Sequence, residues 1–269
     1  MRRPHVGRAG VAMVTGVVLL LAAGAVGWHL ATDDPAIGPR TSLADQCGDV
    51  PPNADRVELT GSGGRVLGAA LVGPSSAKVG VVLRQGASQT ICDWLPWAGD
   101  VVAKTGARVL LFDRRGSGSS PGAADLAAEP TDLVRAVRLL RGRGVDRVVV
   151  VGSSMGNAVT FSALPDLPTP PCALVAISPV LAASGAGGSV DGRSATPYPR
   201  SLWVTWEEQN PHIVTGVRLI RSQARQQHLP APHLHGVATL DHSITLVEQH
   251  ADVRDFLLKA VRSCSRVTG

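Results

Sequence analysis

Asp146-Arg147-Val148-Val149-Val150-Val151-Gly152-Ser153-Ser154-Met155-Gly156-Asn157 decides how the rest of this chain is read. Four consecutive valines predict a strand buried on both faces of a parallel sheet. The run ends in Gly152-Ser153-Ser154-Met155-Gly156, a Gly-x-Ser-x-Gly pentapeptide, and residues 157–164 read as a helix stopped by Pro165. A sharp strand-to-helix turn lifts Ser154 off the sheet, while glycines two residues before and after it let neighbouring backbone pass closely. The helix start also directs free N–H groups and positive dipole at the hydroxyl. A dinucleotide-binding turn would want Gly-x-Gly-x-x-Gly, and Ser154 and Asn157 occupy two of those glycine positions. Ser154 is therefore read as a nucleophile.

Outward from this stretch the chain alternates strand and helix. Residues 79–83, 108–112, 173–177, 202–206 and 236–240 read as further strands; 94–104, 130–141, 213–227 and 244–262 read as helices. Residues 56–59 and 65–72 flank Gly61-Ser62-Gly63-Gly64 and predict an antiparallel hairpin. The fold class that follows is α/β: a mostly parallel central sheet with helices on both faces and the N-terminal hairpin at one edge.

The 269 residues suffice for one large domain, and 44% hydrophobic with 17% charged residues is a globular composition. Arg2, Arg3 and Arg8 precede an uncharged apolar run over residues 9–28, so residues 1–31 read as a signal peptide or an uncleaved membrane anchor. Ala23-Gly24-Ala25 suits signal cleavage, whereas the run is also about long enough to span a bilayer, which takes ~20 residues. Both alternatives export residues 32–269, with 32–54 as a Pro/Asp/Gly-rich linker and 55–269 as the domain. Without the leader, 23 basic and 21 acidic residues balance to +2, with no basic stripe, which argues against nucleic acid as a partner. Four cysteines in an exported chain read as two disulfides. Of three connectivities, Cys47–Cys92 with Cys172–Cys264 is favoured, because the last helix should end near the start of a central strand.

Three motifs carry a family resemblance: the elbow at Ser154, Asp113-Arg114-Arg115-Gly116-Ser117-Gly118-Ser119 after the fourth strand, and Asp241-His242-Ser243 after the last. In order and spacing they resemble an α/β-hydrolase from about Asp55 to Val261. The resemblance implies a serine hydrolase acting on carboxylic esters, small or lipid-like, with no cofactor and no metal. It assigns His242 as the base, a role suited to histidine near neutrality. Met155 and Ala87 would supply the oxyanion-hole N–H groups, with Gln85-Gly86 standing where the family often has His-Gly.

The acid is the ambiguous member. Matching the turn residue by residue puts Asn210 at the usual place; a shift of two brings in Glu208, which is preferred, with Glu207 close by. Asp241 adjoins His242 in sequence and so points elsewhere. His233 and His235 are spaced as a metal pair without a third ligand, and Trp94 and Trp97 read as core, with a substrate wall as the alternative. Residues 180–200 are too few for a helical cap, so an open site is expected. An acyltransferase on the same site and a non-catalytic binding protein remain as alternatives.

Overall fold

The computed structural model describes residues 37–265. An eight-stranded sheet runs through the centre in the order β1-β2-β4-β3-β5-β6-β9-β10. The antiparallel pair β1 (Ala54–Thr60) and β2 (Val66–Val72) forms one edge. β2 also pairs antiparallel with β4 (Arg108–Phe112), whereas β3 (Val79–Arg84), β5 (Arg147–Ser153), β6 (Ala173–Ile177), β9 (Leu202–Glu207) and β10 (His233–Val237) continue parallel. The expected fold class, including the edge hairpin, is the one observed.

The valine run shows why the sheet is buried twice. Val148 and Val150 face one core with α3 (Glu129–Gly142), α4 (Gly156–Ala163) and α5 (Pro211–Gln226). Val149 and Val151 face the other, with α2 (Ile91–Thr105), α6 (Ile244–Gln249) and α7 (Ala251–Ser265). Alternation along the strand divides the side chains between the layers. At about 1.5–3 kcal/mol for each fully buried valine, this strand anchors both cores.

Local chemistry sets the helix ends. α2 begins at Ile91, three residues before its expected start, because Thr90 and Asp93 form a reciprocal capping box; Gly106 closes it in a left-handed conformation at φ 68°. The expected closing helix is broken at His250 into α6 and α7. The expected strand at 236–240 lies three residues earlier: His233 stacks on Trp203 at 3.9 Å and His235 on Phe256 at 5.3 Å, so the edge strand uses imidazoles where sequence propensity suggested a loop.

Both favoured disulfides are present, Cys47–Cys92 and Cys172–Cys264. The first ties a short helix, α1 (Leu43–Cys47), to the first turn of α2, so the stretch read as a linker is stapled to the domain from residue 47. Residues 182–191 form a separate hairpin, β7 (Ala182–Gly185) with β8 (Gly188–Asp191), and no helix lies between β6 and β9. The leader read at residues 1–31 and the apolar run at 9–28 lie outside the described residues. Among the described residues no helix is long and apolar enough to cross a membrane.

Candidate active site

β5 ends one residue before Ser154, whose φ of +52° places a non-glycine residue in the left-handed region. Such a conformation costs of order 1–3 kcal/mol and persists only where the surroundings hold it. Here Ser154 N–H donates to Ile177 O at 3.0 Å, and Asn157 Nδ2 donates to both Ser154 O (3.1 Å) and Ile177 O (2.8 Å). The flanking glycines are sterically required. A Cβ on Gly156 would stand 2.0 Å from Arg84 O, and one on Gly152 would stand 2.8 Å from Asn157 Oδ1 and 2.9 Å from its Cα.

The loop after β10 brings His242 to the serine. Ser154 Oγ lies 2.7 Å from His242 Nε2, and His242 Nδ1 lies 2.6 Å from Glu207 Oε1. With its proton on Nδ1, the imidazole donates to Glu207 and accepts the serine O–H, which is the orientation a general base needs.

Glu208, preferred from the sequence, is not the residue at the histidine. β9 extends one residue past its expected end, so Glu207 is its last residue and is fully buried, while Glu208 is exposed. Side chains alternate across a strand, so a one-residue difference in register moves the carboxylate to the other side. Glu208 Oε1 lies near Gly236 on β10, only 2.4 Å from where a Cβ there would sit. Asn210 caps α5 by accepting from His212 N–H at 3.2 Å, and its Nδ2 donates to Glu207 Oε1 at 3.2 Å.

Two serines missed by sequence reasoning complete this corner. Ser178 Oγ donates to Glu207 Oε2 at 2.7 Å and accepts from Ser243 N–H at 2.9 Å, which ties Glu207 to the histidine loop. Ser178 and Ser243 both have positive φ, at 47° and 61°, which is uncommon for a non-glycine residue. Beside them, His250 holds the Asp241 carboxyl below the usual carboxylate range through a 2.8 Å hydrogen bond, so Asp241 is engaged away from His242.

On the other flank, the loop after β3 packs on Ser154: a Cβ on Gly86 would lie 3.3 Å from Ser154 Cβ. Gly86 N–H is occupied by Gln89 Oε1 at 2.9 Å, which leaves Ala87 as the next N–H along the loop. Met155 directly precedes α4, as its N-cap. Asp113 braces this flank from beneath, accepting Ile91 N–H at 2.8 Å and Ser119 N–H at 2.7 Å. Trp94 and Trp97 are buried in the core, edge to face at 5.6 Å. His235 pairs with Asp252, and no cluster suited to a metal ion occurs among the described residues. A cavity of about 450 Å³ between α2 and α6 is lined by Pro96, Trp97 and Ile244 and includes neither Ser154, His242 nor Glu207.

A family model described as serine aminopeptidase, S33, matches residues 76–247, a span that contains all three of these side chains. A protein of Variovorax paradoxus (strain S110) named as a carbamate hydrolase, RutD, is 30% identical over 107 residues, which is 39% of this chain and 40% of that relative's length. Among solved structures, XC6422 of Xanthomonas campestris, described as an α/β serine hydrolase without a lid, superposes with a TM-score of 0.62 at 21% identity, over 81% of this chain and 98% of that one. An esterase of Pyrobaculum calidifontis gives 0.65 at 14% identity, over 83% and 89%. The Pyrococcus furiosus esterase Pf2001 gives 0.62 at 15%, over 79% and 91%. At these identities the structural likenesses speak for the fold. The matched family model and the shared architecture together place the chain in the serine aminopeptidase S33 family, within the α/β-hydrolase superfamily.

Proposed function

We propose that this protein is a serine hydrolase of small carboxylic esters, working through an acyl-enzyme. The observation that carries this reading is the unbroken chain Ser154 Oγ–His242 Nε2, His242 Nδ1–Glu207 Oε1, at 2.7 and 2.6 Å. In the first half-reaction Ser154 Oγ attacks the acyl carbon while its proton passes to His242 Nε2. Buried Glu207 stabilises the resulting imidazolium. The carbonyl oxygen becomes an oxyanion held by the N–H groups of Met155 and Ala87. Collapse expels the alcohol, which takes the proton from His242 and leaves Ser154 acylated. Water, deprotonated by His242, then attacks the ester, and Ser154 recovers its proton as the acid departs.

The short hairpin in place of a helical cap supports an exposed site and small substrates. The match to a named carbamate hydrolase favours carbamates as a second class. Two disulfides support a location outside the cytoplasm, where such bonds persist. The test is turnover of p-nitrophenyl esters from acetate to laurate and of a p-nitrophenyl carbamate, with Ser154→Ala and His242→Ala as controls and an alcohol as added acceptor. Turnover that is fastest on short esters and lost in both variants is expected. Product captured mainly by the alcohol would make the enzyme an acyltransferase, and equal turnover in Ser154→Ala would overturn the reading.

A further inference from the structure

The loop after β3 is held by contacts that the reaction itself does not use. Gln89 Oε1 accepts from Gly86 N–H at 2.9 Å and from Trp94 Nε1 at 3.1 Å. Its Nε2 donates to Ser243 Oγ at 2.9 Å, and Ser243 Oγ lies 2.6 Å from Ser153 Oγ. One carboxamide thus touches the oxyanion-side loop, the residue after His242 and, through Ser243, the residue before Ser154. The other end of the same peptide unit is also fixed. Gln85 O accepts from Arg84 Nη1 at 2.6 Å, and the fully buried Arg84 guanidinium pairs with Glu129 at the start of α3.

We propose that Gln89 is a positioning residue that, with Arg84, clamps the Gln85–Gly86 peptide and so sets the direction of the next N–H, that of Ala87. The proposal rests on the hydrolase reading above, in which Ala87 N–H meets the oxyanion. The chemistry favours a clamp over a passive contact. Arg84 holds the peptide oxygen and Gln89 holds its N–H, so rotation of this plane would break bonds at both ends. Gly86 N–H is thereby kept from turning toward the oxyanion in place of Ala87. The link through Ser243 means that movement of the histidine loop would be felt at the oxyanion side.

Gln89→Met keeps the side-chain length and removes both acceptor and donor, while Gln89→Glu restores an acceptor for Gly86 N–H. Hydrogen exchange at the Gly86 amide of the full chain, resolved by fragmentation mass spectrometry, reads the clamp without reference to activity. Steady-state ester kinetics read its consequence. Faster Gly86 exchange is expected in Gln89→Met and near wild-type exchange in Gln89→Glu. In Gln89→Met, kcat should fall by about 10- to 100-fold, the scale of a slightly misplaced catalytic group, with KM within about threefold of wild type. Unchanged Gly86 exchange in Gln89→Met would overturn the clamp. Faster exchange with unaltered kcat would overturn its positioning role. Wild type without Ser154-dependent turnover would overturn the hydrolase reading and the catalytic half of this proposal together; that case is distinguishable because the exchange contrast would remain.

Discussion

Replacing Glu207 by glutamine tests the acid and the register argument behind it. The carboxylate is fully buried and takes three hydrogen bonds, from His242 Nδ1 at 2.6 Å, Ser178 Oγ at 2.7 Å and Asn210 Nδ2 at 3.2 Å. An amide offers one oxygen and one NH₂ group in their place. If the oxygen stays with His242, the NH₂ faces Ser178, and the imidazolium loses its counter-charge. If the amide turns over, the NH₂ meets Nδ1 and selects the tautomer with its proton on Nε2, which cannot accept from Ser154. Both outcomes damage the transition state more than substrate binding. A comparable change in a serine protease triad lowers kcat by about 10⁴. The expectation here is a loss of about 10³–10⁴ in kcat/KM, or ~4–5.5 kcal/mol at 1.36 kcal/mol per decade. Glu208→Gln, at an exposed position, should stay within about twofold of wild type, as surface changes away from a site usually do. The assay is p-nitrophenyl ester hydrolysis on proteins whose folding is checked by circular dichroism. A large loss in Glu208→Gln, or Glu207→Gln within tenfold of wild type, would refute the reasoning.

Four further outcomes follow from the geometry. Gly156→Ala would drive a Cβ to 2.0 Å from the Arg84 carbonyl and should cost more than about 3 kcal/mol in denaturant unfolding. Gly142→Ala, at the end of α3 with no heavy atom within 4 Å, should stabilise by about 0.5–1 kcal/mol. Breaking Cys172–Cys264, 92 residues apart, should cost about 4–5 kcal/mol on the chain-entropy model, and breaking Cys47–Cys92, 45 apart, about 4 kcal/mol; equal midpoints for reduced and oxidised protein would contradict both. Burial raises the titration point of the Tyr198 phenol, whose oxygen has no partner among the described residues. Tyr198→Phe should therefore leave the melting temperature unchanged or raise it, because leaving a buried polar group unpaired costs about 1–3 kcal/mol.

How far the sequence could be read depended on the range of the interactions involved. The elbow was legible because its signals are local: a valine run, two glycines with no room for a Cβ, and a helix start within eleven residues. The mostly parallel sheet followed from strand–helix alternation, and the Cys172–Cys264 pairing from where a last helix must end. Glu208 was preferred over Glu207 because the choice between adjacent glutamates depends on whether β9 runs one residue further, which pairing with β10 decides. β10 itself was misplaced because His233 and His235 become strand residues only through stacking on Trp203 and Phe256, contributed by other elements. Gln89 and Ser178 carried no pattern, and Ser243 stood in the histidine motif without a role of its own. Ser178 meets Ser243 from 65 residues away, and Gln89 meets it from 154, so their roles exist only after the chain has folded.

The central claim, that Ser154 is activated by His242, is tested most directly by reaction with a fluorophosphonate followed by peptide mass spectrometry. One phosphonyl adduct is expected, on the peptide carrying Ser154, lost in Ser154→Ala and strongly slowed in His242→Ala. A folded wild-type protein that stays unlabelled, or an adduct that persists in Ser154→Ala, would contradict it.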